Sequence, residues 1–418
     1  MSFCKDNFLI YLLLALIPFG VIGETLAVLL VLCIFRWNNV IPACALGIIF
    51  LTHYLLTGVW YEYPLMKTLQ QIFLIMLYFI AYSTLYKRGM SDIESIWVKY
   101  LKVCVLFAGI AWLQLFVYWG TGVDALLWPG RNFTGNGAFL RLHAYFEEPA
   151  YYATFLTPYV AYYLLDAEHL KQDRFKFLMV FLSYLLTFSS IGVVCVFMIL
   201  MYKLYNSRYK VLLLFLLVLP IIFLSVKALE SNDTYENDQS QMEQSIAKIS
   251  ETITAFSNLS PGEFELLNYS TYATVSNIWV AINAPNRMFG NGIGSHVHSY
   301  ETIYTSDFEM YGLNKADAFS LFTRVFSEFG FFGLLGVFVF LVVFMNRQNN
   351  MNLASMFFII ACLIRGGHYT LNGFFLFLMI FLVTSPILSR NKKNIVDLNT
   401  EYETSICNNP SIQCRKDY

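Results

Sequence analysis

Residues 141–149 read RLHAYFEEP and bring Arg141, His143, Glu147 and Glu148 together directly ahead of a long apolar run. Proline suits the first turn of a helix, where its missing N–H would have no partner. Acidic side chains suit the positive end of the helix dipole. Glu148-Pro149 therefore reads as the start of a membrane helix with an ionisable cluster at its mouth, and such a cluster is a functional-site candidate. Three more arginines stand at predicted outer helix ends or in outer loops: Arg287 beside the FGNGIG stretch, Arg324 four residues before Glu328, and Arg365 three residues before His368. Guanidinium groups grip phosphate oxygens through paired N–H donors, so four of them converging on one face would suit an anionic ligand. Each residue also has a plainer reading. Arg141 pairs with Glu147 or Glu148 to seat the helix, Arg324 and Glu328 form an i, i+4 helix pair, and Arg131 and Lys315 are interfacial anchors. His296 and His298 alternate without a nearby acidic ligand, a weak pattern for zinc, and no metal site is expected.

The elements that must position these residues are membrane helices. The chain is 57% hydrophobic and only 13% charged, with a mean hydropathy of +0.56, whereas soluble domains carry about 25% charged residues. The apolar runs are continuous, without the alternation of a transmembrane barrel. An all-α, polytopic membrane protein of about 12 spans (roughly 10–12) follows from the run lengths. The runs cover 8–35, split by Pro18, Gly20 and Gly23, then 40–59, 69–85, 96–119, 149–165, 176–190, 191–205, 211–226, 319–345, 351–364 and 370–388. Short cytoplasmic loops are rich in Lys and Arg. That bias places Arg36, Lys87, Arg88, Lys171, Arg174, Lys203, Arg208, Arg347 and Arg390 on one side, with both termini. The opposite, outer side receives 61–68, 120–148, 227–318 and the short turn 365–369. The chain thus divides into N-terminal helices over 1–227, with an outer loop at 120–148, a large outer loop over 228–318, C-terminal helices over 319–389 and a polar cytoplasmic tail over 390–418.

The large outer loop begins as a polar stretch over 231–265 and changes character from Asn268 onward, where Asn286, Gly290, Asn291, Gly292 and Gly294 supply turn residues around Arg287. Dense glycine beside an arginine fits a backbone that comes close to a ligand, or an ordinary surface turn. Aromatic side chains crowd the outer end of the 149–165 helix, among them Tyr145, Phe146, Tyr151 and Tyr152; they would stack on sugar rings or form an interfacial belt. There is no phosphate-binding P-loop, GxSxG elbow or HExxH, which disfavours an ATP-driven pump. The net charge of −1 gives no case for a nucleic-acid partner. The eight cysteines are scattered, without zinc spacing or a disulfide framework.

Five stretches in order resemble the Wzy-type O-antigen polymerases, within the broader group of polymerases and ligases acting on undecaprenyl-linked glycans. They are RLHAYFEEP at 141–149, LLTFSSIG at 185–192, FGNGIG at 289–294, SEFGFFGLL at 327–335 and LIRGGHYTLNG at 363–373. The ligases often carry His-Asn about nine residues before the Glu-x-Gly; here Phe319 and Ser320 stand there, with Lys315 and Asp317 as the nearest ionisable neighbours. That departure tilts the likeness towards polymerase. The resemblance implies a glycosyltransferase, free of cofactor and metal, at the periplasmic face of a bacterial inner membrane. Its donor is a growing glycan on undecaprenyl pyrophosphate and its acceptor a single repeat unit on the same carrier. It further implies the bilayer as surroundings, with a flippase and a chain-length regulator as partners. Arg141, Arg287, Arg324 and Arg365 would stabilise the leaving pyrophosphate. Glu148, His368 and Asp317 are alternatives for the base. His143, Glu147, Tyr145, Tyr152, Gly292, Gly294 and Tyr369 would line the substrate. An O-antigen ligase and a lipid-linked oligosaccharide flippase are the alternatives.

Overall fold

The computed structural model describes residues 10–19, 23, 25–26, 28–30, 39–57, 63–89, 93–124, 140–206, 261–370 and 373–388. The predicted span at 211–226, the polar segment 228–260, Arg131 and the tail 390–418 lie outside the described residues. Among the described residues every regular element is a helix. In chain order they are α1 (Ile10–Phe19), α2 (Val40–Thr57), α3 (Leu65–Gly89), α4 (Ile93–Thr121), α5 (Pro149–Leu165), α6 (Ala167–Gln172), α7 (Arg174–Leu185), α8 (Ser190–Tyr205), α9 (Tyr269–Asn283), α10 (His296–Ile303), α11 (Leu321–Phe344), α12 (Asn350–Ile364) and α13 (Phe374–Val383). Four are long and apolar enough to cross a membrane: α2, most of α3, α4 and α11. The shorter α1, α8, α12 and α13 are also apolar. Large side chains such as Ile41, Leu56, Phe175 and Val342 point outward, an arrangement that lipid tolerates and water does not.

The centre of the fold is α5, which is buried on nearly every side and packs against α12, α8 and α7. A helix apolar all round belongs in the interior. Pro149 occupies its first turn, as the sequence suggests. Pro158, in its middle, cannot donate to the helix ladder. Beside it the buried Tyr100 hydroxyl of α4 donates to Phe155 O (2.7 Å) and accepts from Tyr159 N (3.1 Å), bridging the disturbed turn. Inside lipid such freed backbone groups have no water to turn to, so a neighbouring side chain must serve them. At the end of α12 remote from Arg365, Asn352 donates to Phe344 O (3.2 Å) and Phe381 O (2.7 Å), tying the starts and ends of α11, α12 and α13 together.

The feature that shapes the rest is a break in α11. Gly330 has φ 67° and ψ −165°, so the helix is two pieces joined at that residue. Residues 287–292 lie across the break. Asn291 N and Gly292 N donate to Ser327 O (3.2 Å) and Glu328 O (3.0 Å), and Phe331 N and Phe332 N donate to Arg287 O (2.9 Å) and Met288 O (3.1 Å). The glycine-rich loop therefore approaches another stretch of backbone. Gly290 makes the approach possible, because a Cβ there would lie 2.3 Å from the Glu328 carbonyl.

Candidate active site

Helix ends converge at one end of the fold. Loop 140–148 is pinned first. Leu140, Leu142, Ala144 and Phe146 are buried, and Leu142 N donates to Leu186 O at 3.0 Å. His143, with no exposed surface, lies with Nε2 3.0 Å from Asp124 Oδ2 and 2.8 Å from Gln114 Nε2. Gln114 also donates to Asp124 Oδ1 (2.8 Å) and accepts from Ala144 N (3.2 Å). This buried cluster fixes the loop to the end of α4, so His143 holds the loop from behind.

Arg141 and Arg365 reach the site from opposite parts of the chain. Arg141 Nε donates to Thr187 O (3.2 Å) and Nη2 to Phe188 O (3.5 Å), in the turn between α7 and α8. It forms no ion pair with a carboxylate among the described residues, and neither Glu147 nor Glu148 seats it. Burial, with the nearby Arg365 charge adding to it, holds the Arg141 pKa below its ordinary value, while Glu148 opposes the shift. Glu148 pairs instead with Arg365, whose Nη2 donates to Glu148 Oε2 at 3.1 Å. The Arg365 guanidinium lies 4.8 Å from the centre of the Phe319 ring, and its buried Nε has no hydrogen-bond partner among the described residues. Although Glu148 precedes the first turn of α5, its side chain makes no capping bond there.

The second tier is built on the first turns of α11. Ser320 caps that helix by accepting from Thr323 N (3.1 Å). Arg324 Nε donates to Glu328 Oε1 (3.0 Å), as the i, i+4 spacing suggests, and Nη1 donates to Gly367 O (3.1 Å). Tyr369 lies under the guanidinium, 4.3 Å from its carbon, and donates its hydroxyl to Glu328 Oε2 (2.8 Å). Residues 317–319 run alongside: Gly366 N donates to Phe319 O (3.0 Å), and Ala318 and Phe319 have φ 56° and 63°. Non-glycine residues there are strained and persist only where the surroundings hold them. Asp317 is buried and accepts from Phe319 N (3.1 Å). His368 is drawn below its ordinary pKa by burial, against an upward pull from Asp317, with Arg324 lowering it further. Its imidazole is neutral near pH 7.

No family model, curated protein or solved structure matches this chain. The five stretches that carry the family resemblance are nonetheless neighbours in space. Stretch 141–149 bonds to the turn in 185–192, stretch 289–294 bridges the break in 327–335, and 363–373 meets both through Arg365–Glu148 and Tyr369–Glu328.

The residues singled out from sequence separate accordingly. Arg141, Glu148, Asp317, Arg324, Arg365, His368 and Tyr369 gather in one cluster. Arg287 does not join it through any bond: its side chain is exposed and makes no hydrogen bond or ion pair among the described residues. Gly292 and Gly294 are buried in the loop that bridges α11. Tyr152 is fully buried with its hydroxyl on Ser183 (3.1 Å), whereas Tyr145 is exposed and stacks on Phe19. Glu147 is half-buried, and Lys315 pairs with Glu301 at 2.8 Å. Among the described residues no group of three or more His, Cys, Asp and Glu side chains has the arrangement of a metal site.

Two buried polar residues lie behind the site: Tyr63, which the sequence does not single out, and His296, weighed there only as a weak zinc ligand. Tyr63 contacts the loop near Gly294, and burial, with the Glu328 charge adding to it, raises its pKa. His296 Nε2 donates to Asn277 Oδ1 (2.9 Å), whose amide nitrogen is already committed to Ala273 O and Leu313 O. Burial, together with Arg324, lowers the His296 pKa from 6.5 to about 3. The unfolded chain therefore binds a proton that the folded chain refuses between those two values. Stability is unaffected above about pH 6.5 and falls on acidification, by up to about 1.4 kcal/mol per pH unit. In detergent, the thermal midpoint of the protein is expected to fall more steeply from pH 7 to pH 5 than that of His296→Gln. Equal slopes would show that His296 titrates alike in both states.

Proposed function

We propose that the chain is a membrane glycosyltransferase of the O-antigen polymerase type. It joins oligosaccharide repeat units carried on undecaprenyl pyrophosphate, at the periplasmic face of a bacterial inner membrane, and releases the lipid pyrophosphate. The observation that carries this reading is the placement of Arg141 and Arg365 about Glu148, at the mouth of a buried helix in a protein with membrane-length helices. A sugar hydroxyl attacks the anomeric carbon of the donor and the C–O bond to the pyrophosphate breaks. Guanidinium groups placed beside the leaving oxygens would stabilise the charge that develops there. The lipid tail remains in the bilayer while its headgroup meets the helix ends. Arg324, locked to Glu328 and Gly367, positions the 366–369 turn and does not itself offer a free fork. The partners are the lipid-linked oligosaccharide and the bilayer, with a flippase supplying substrate and a chain-length regulator acting on the product.

Two observations weigh on the alternatives. Where ligases often carry a histidine, the Phe319 ring lies against Arg365, which favours polymerase over ligase. The break in α11 favours a transporter, since broken helices expose backbone groups to their cargo. Here, however, the 287–292 loop takes up Ser327 O, Glu328 O, Phe331 N and Phe332 N. The test is the glycan ladder of a strain lacking the gene. One repeat unit per lipid core is the expected result. Bare core indicates a ligase or a flippase and overturns the reading.

A further inference from the structure

The turn at 285–289 combines features that a turn in water has no use for. Met288 and Phe289 are 49% and 57% exposed, and Arg287 beside them is exposed too. The backbone beneath these side chains is nevertheless closely bonded. Asn286 N donates to Asn291 Oδ1 (3.2 Å), Phe289 N to Asn286 Oδ1 (3.1 Å) and Gly290 N to Asn286 O (2.8 Å). Phe331 N and Phe332 N of α11 take the carbonyls of 287 and 288. The His53 imidazole of α2 takes the carbonyl of 289 (Nε2, 2.8 Å). Where lipid replaces water, backbone outside a helix persists only if protein groups satisfy it. His53 also fixes the depth of the turn. It stands four residues short of Thr57, the last residue of α2, which is roughly 6 Å along the axis. Leu55 and Leu56, beyond it, are 56% and 70% exposed, so the lipid-facing surface of α2 runs on past the level of the turn. On the other side, the Phe289 ring lies 5.0 Å from that of Phe332, on the exposed apolar face of α11. Between α9 and α11 a cavity of about 440 Å³ is lined almost entirely by apolar side chains, among them Ile278, Ile282, Phe331 and Phe338.

We propose that the turn 285–289 lies in the bilayer leaflet nearest the charged cluster, with Met288 and Phe289 among the acyl chains and Arg287 holding the phosphate of a phospholipid. The end of α9 and the turn after it then form an edge of the outer loop that rests in lipid, not in water. The occupant follows from the chemistry of that edge. Arg287 makes no hydrogen bond or ion pair among the described residues. A guanidinium just inside the hydrocarbon boundary extends to the headgroups on its methylene stem, where a phosphate accepts two parallel N–H bonds from it. The α9–α11 cavity offers an acyl chain of the same lipid a place, since Phe331 both lines it and holds the Arg287 carbonyl. Such a contact fixes how deep the junction of turn and broken helix stands in the bilayer. It thereby sets the height of Glu328 and of Arg324 bonded to it. Nothing in this placement depends on the polymerase reading; it needs only α2 and α11 to cross the membrane.

The test of depth uses the full chain in nanodiscs of phosphatidylcholine and phosphatidylglycerol, pulsed with a water-soluble maleimide. Peptide mass spectrometry reads each cysteine separately, so the native ones do not interfere. Met288→Cys is expected to react roughly tenfold or more slowly than Asp307→Cys, at another exposed position of the outer loop, because a thiol in lipid does not ionise. Equal rates at the two positions place the turn in water and overturn the proposal. For the lipid, the unaltered protein and Arg287→Gln are purified from the membrane in detergent, and the retained lipid is extracted, identified by mass and counted. The unaltered protein should keep about one more phospholipid per chain than Arg287→Gln, with Arg287→Lys between them because it keeps the charge and loses the fork. Equal retention overturns the phosphate contact. A polyprenyl phosphate retained in place of the phospholipid shows that Arg287 serves a lipid carrier and overturns the assignment as well.

Discussion

Arg365→Ala is expected to reduce glycan polymerisation by roughly 10²- to 10³-fold, the cost of losing one aligned charge-stabilising donor, and to leave one repeat unit per lipid core on a gel. Arg365 is placed for such an effect. It is the last residue before the turn that carries His368 and Tyr369, it lies against the Phe319 ring, and one terminal nitrogen meets Glu148. Arg365→Lys should not restore long chains, because an ammonium lacks the planar fork that pairs with phosphate while lying on a ring. Arg141→Ala should match it in chain length and also lower stability by about 1–3 kcal/mol, since Thr187 O and Phe188 O lose their donor. Thermal midpoints measured alongside separate that loss from the loss of activity. Arg287→Ala supplies the contrast. Its side chain is exposed and makes no bond among the described residues, so chain length should stay near normal. A defect as deep as that of Arg365→Ala would mean that the cluster has been drawn around the wrong arginines.

What the sequence disclosed follows from which forces are local. The start of α5 at Pro149 was legible because proline and the acidic pair act within one turn. The Arg324–Glu328 pair was legible because four residues along a helix are neighbours whatever surrounds them. The positions of the long helices were legible because apolar runs must be contiguous to form them. The contact between Glu148 and Arg365 was not. Arg141 is close in sequence and Arg365 is 217 residues away, yet Arg365 is the one that meets Glu148. That choice is made by the packing of α5 against α12, and by the turn carbonyls that claim Arg141 first. His143 stands between Arg141 and Glu148 in an eye-catching cluster, but it is buried against Gln114 and Asp124 at the end of α4. The glycine-rich stretch was read as a backbone close to a ligand or as an ordinary surface turn; the structure brings it against the backbone of the broken helix instead.

The second large effect concerns that helix. Gly330→Ala and Gly290→Ala are each expected to destabilise the protein by roughly 3 kcal/mol or more, through backbone strain compounded by steric overlap. At Gly330 the φ of 67° is one that L side chains rarely adopt, and an added Cβ would lie 2.4 Å from the Met288 carbonyl. At Gly290 the φ is 78° and the Cβ would lie 2.3 Å from the Glu328 carbonyl. Both collisions are with backbone, which cannot swing aside as a side chain can. The two strands of the junction would have to separate, giving up the bonds from Asn291 N and Gly292 N to the carbonyls of 327 and 328. Glu328 would move with its carbonyl, and with it the anchor of Arg324 and Tyr369, so the charged turn at 365–369 should loosen as well. Gly336→Ala, in the same helix with nothing within 4 Å of the new methyl, should be neutral or stabilise by up to about 1 kcal/mol, since alanine is the better helix former. Thermal midpoints of the three purified variants in one detergent decide the matter. If Gly330→Ala and Gly290→Ala unfold at the same temperature as Gly336→Ala, α11 runs unbroken through residue 330 and the loop is not bonded across it.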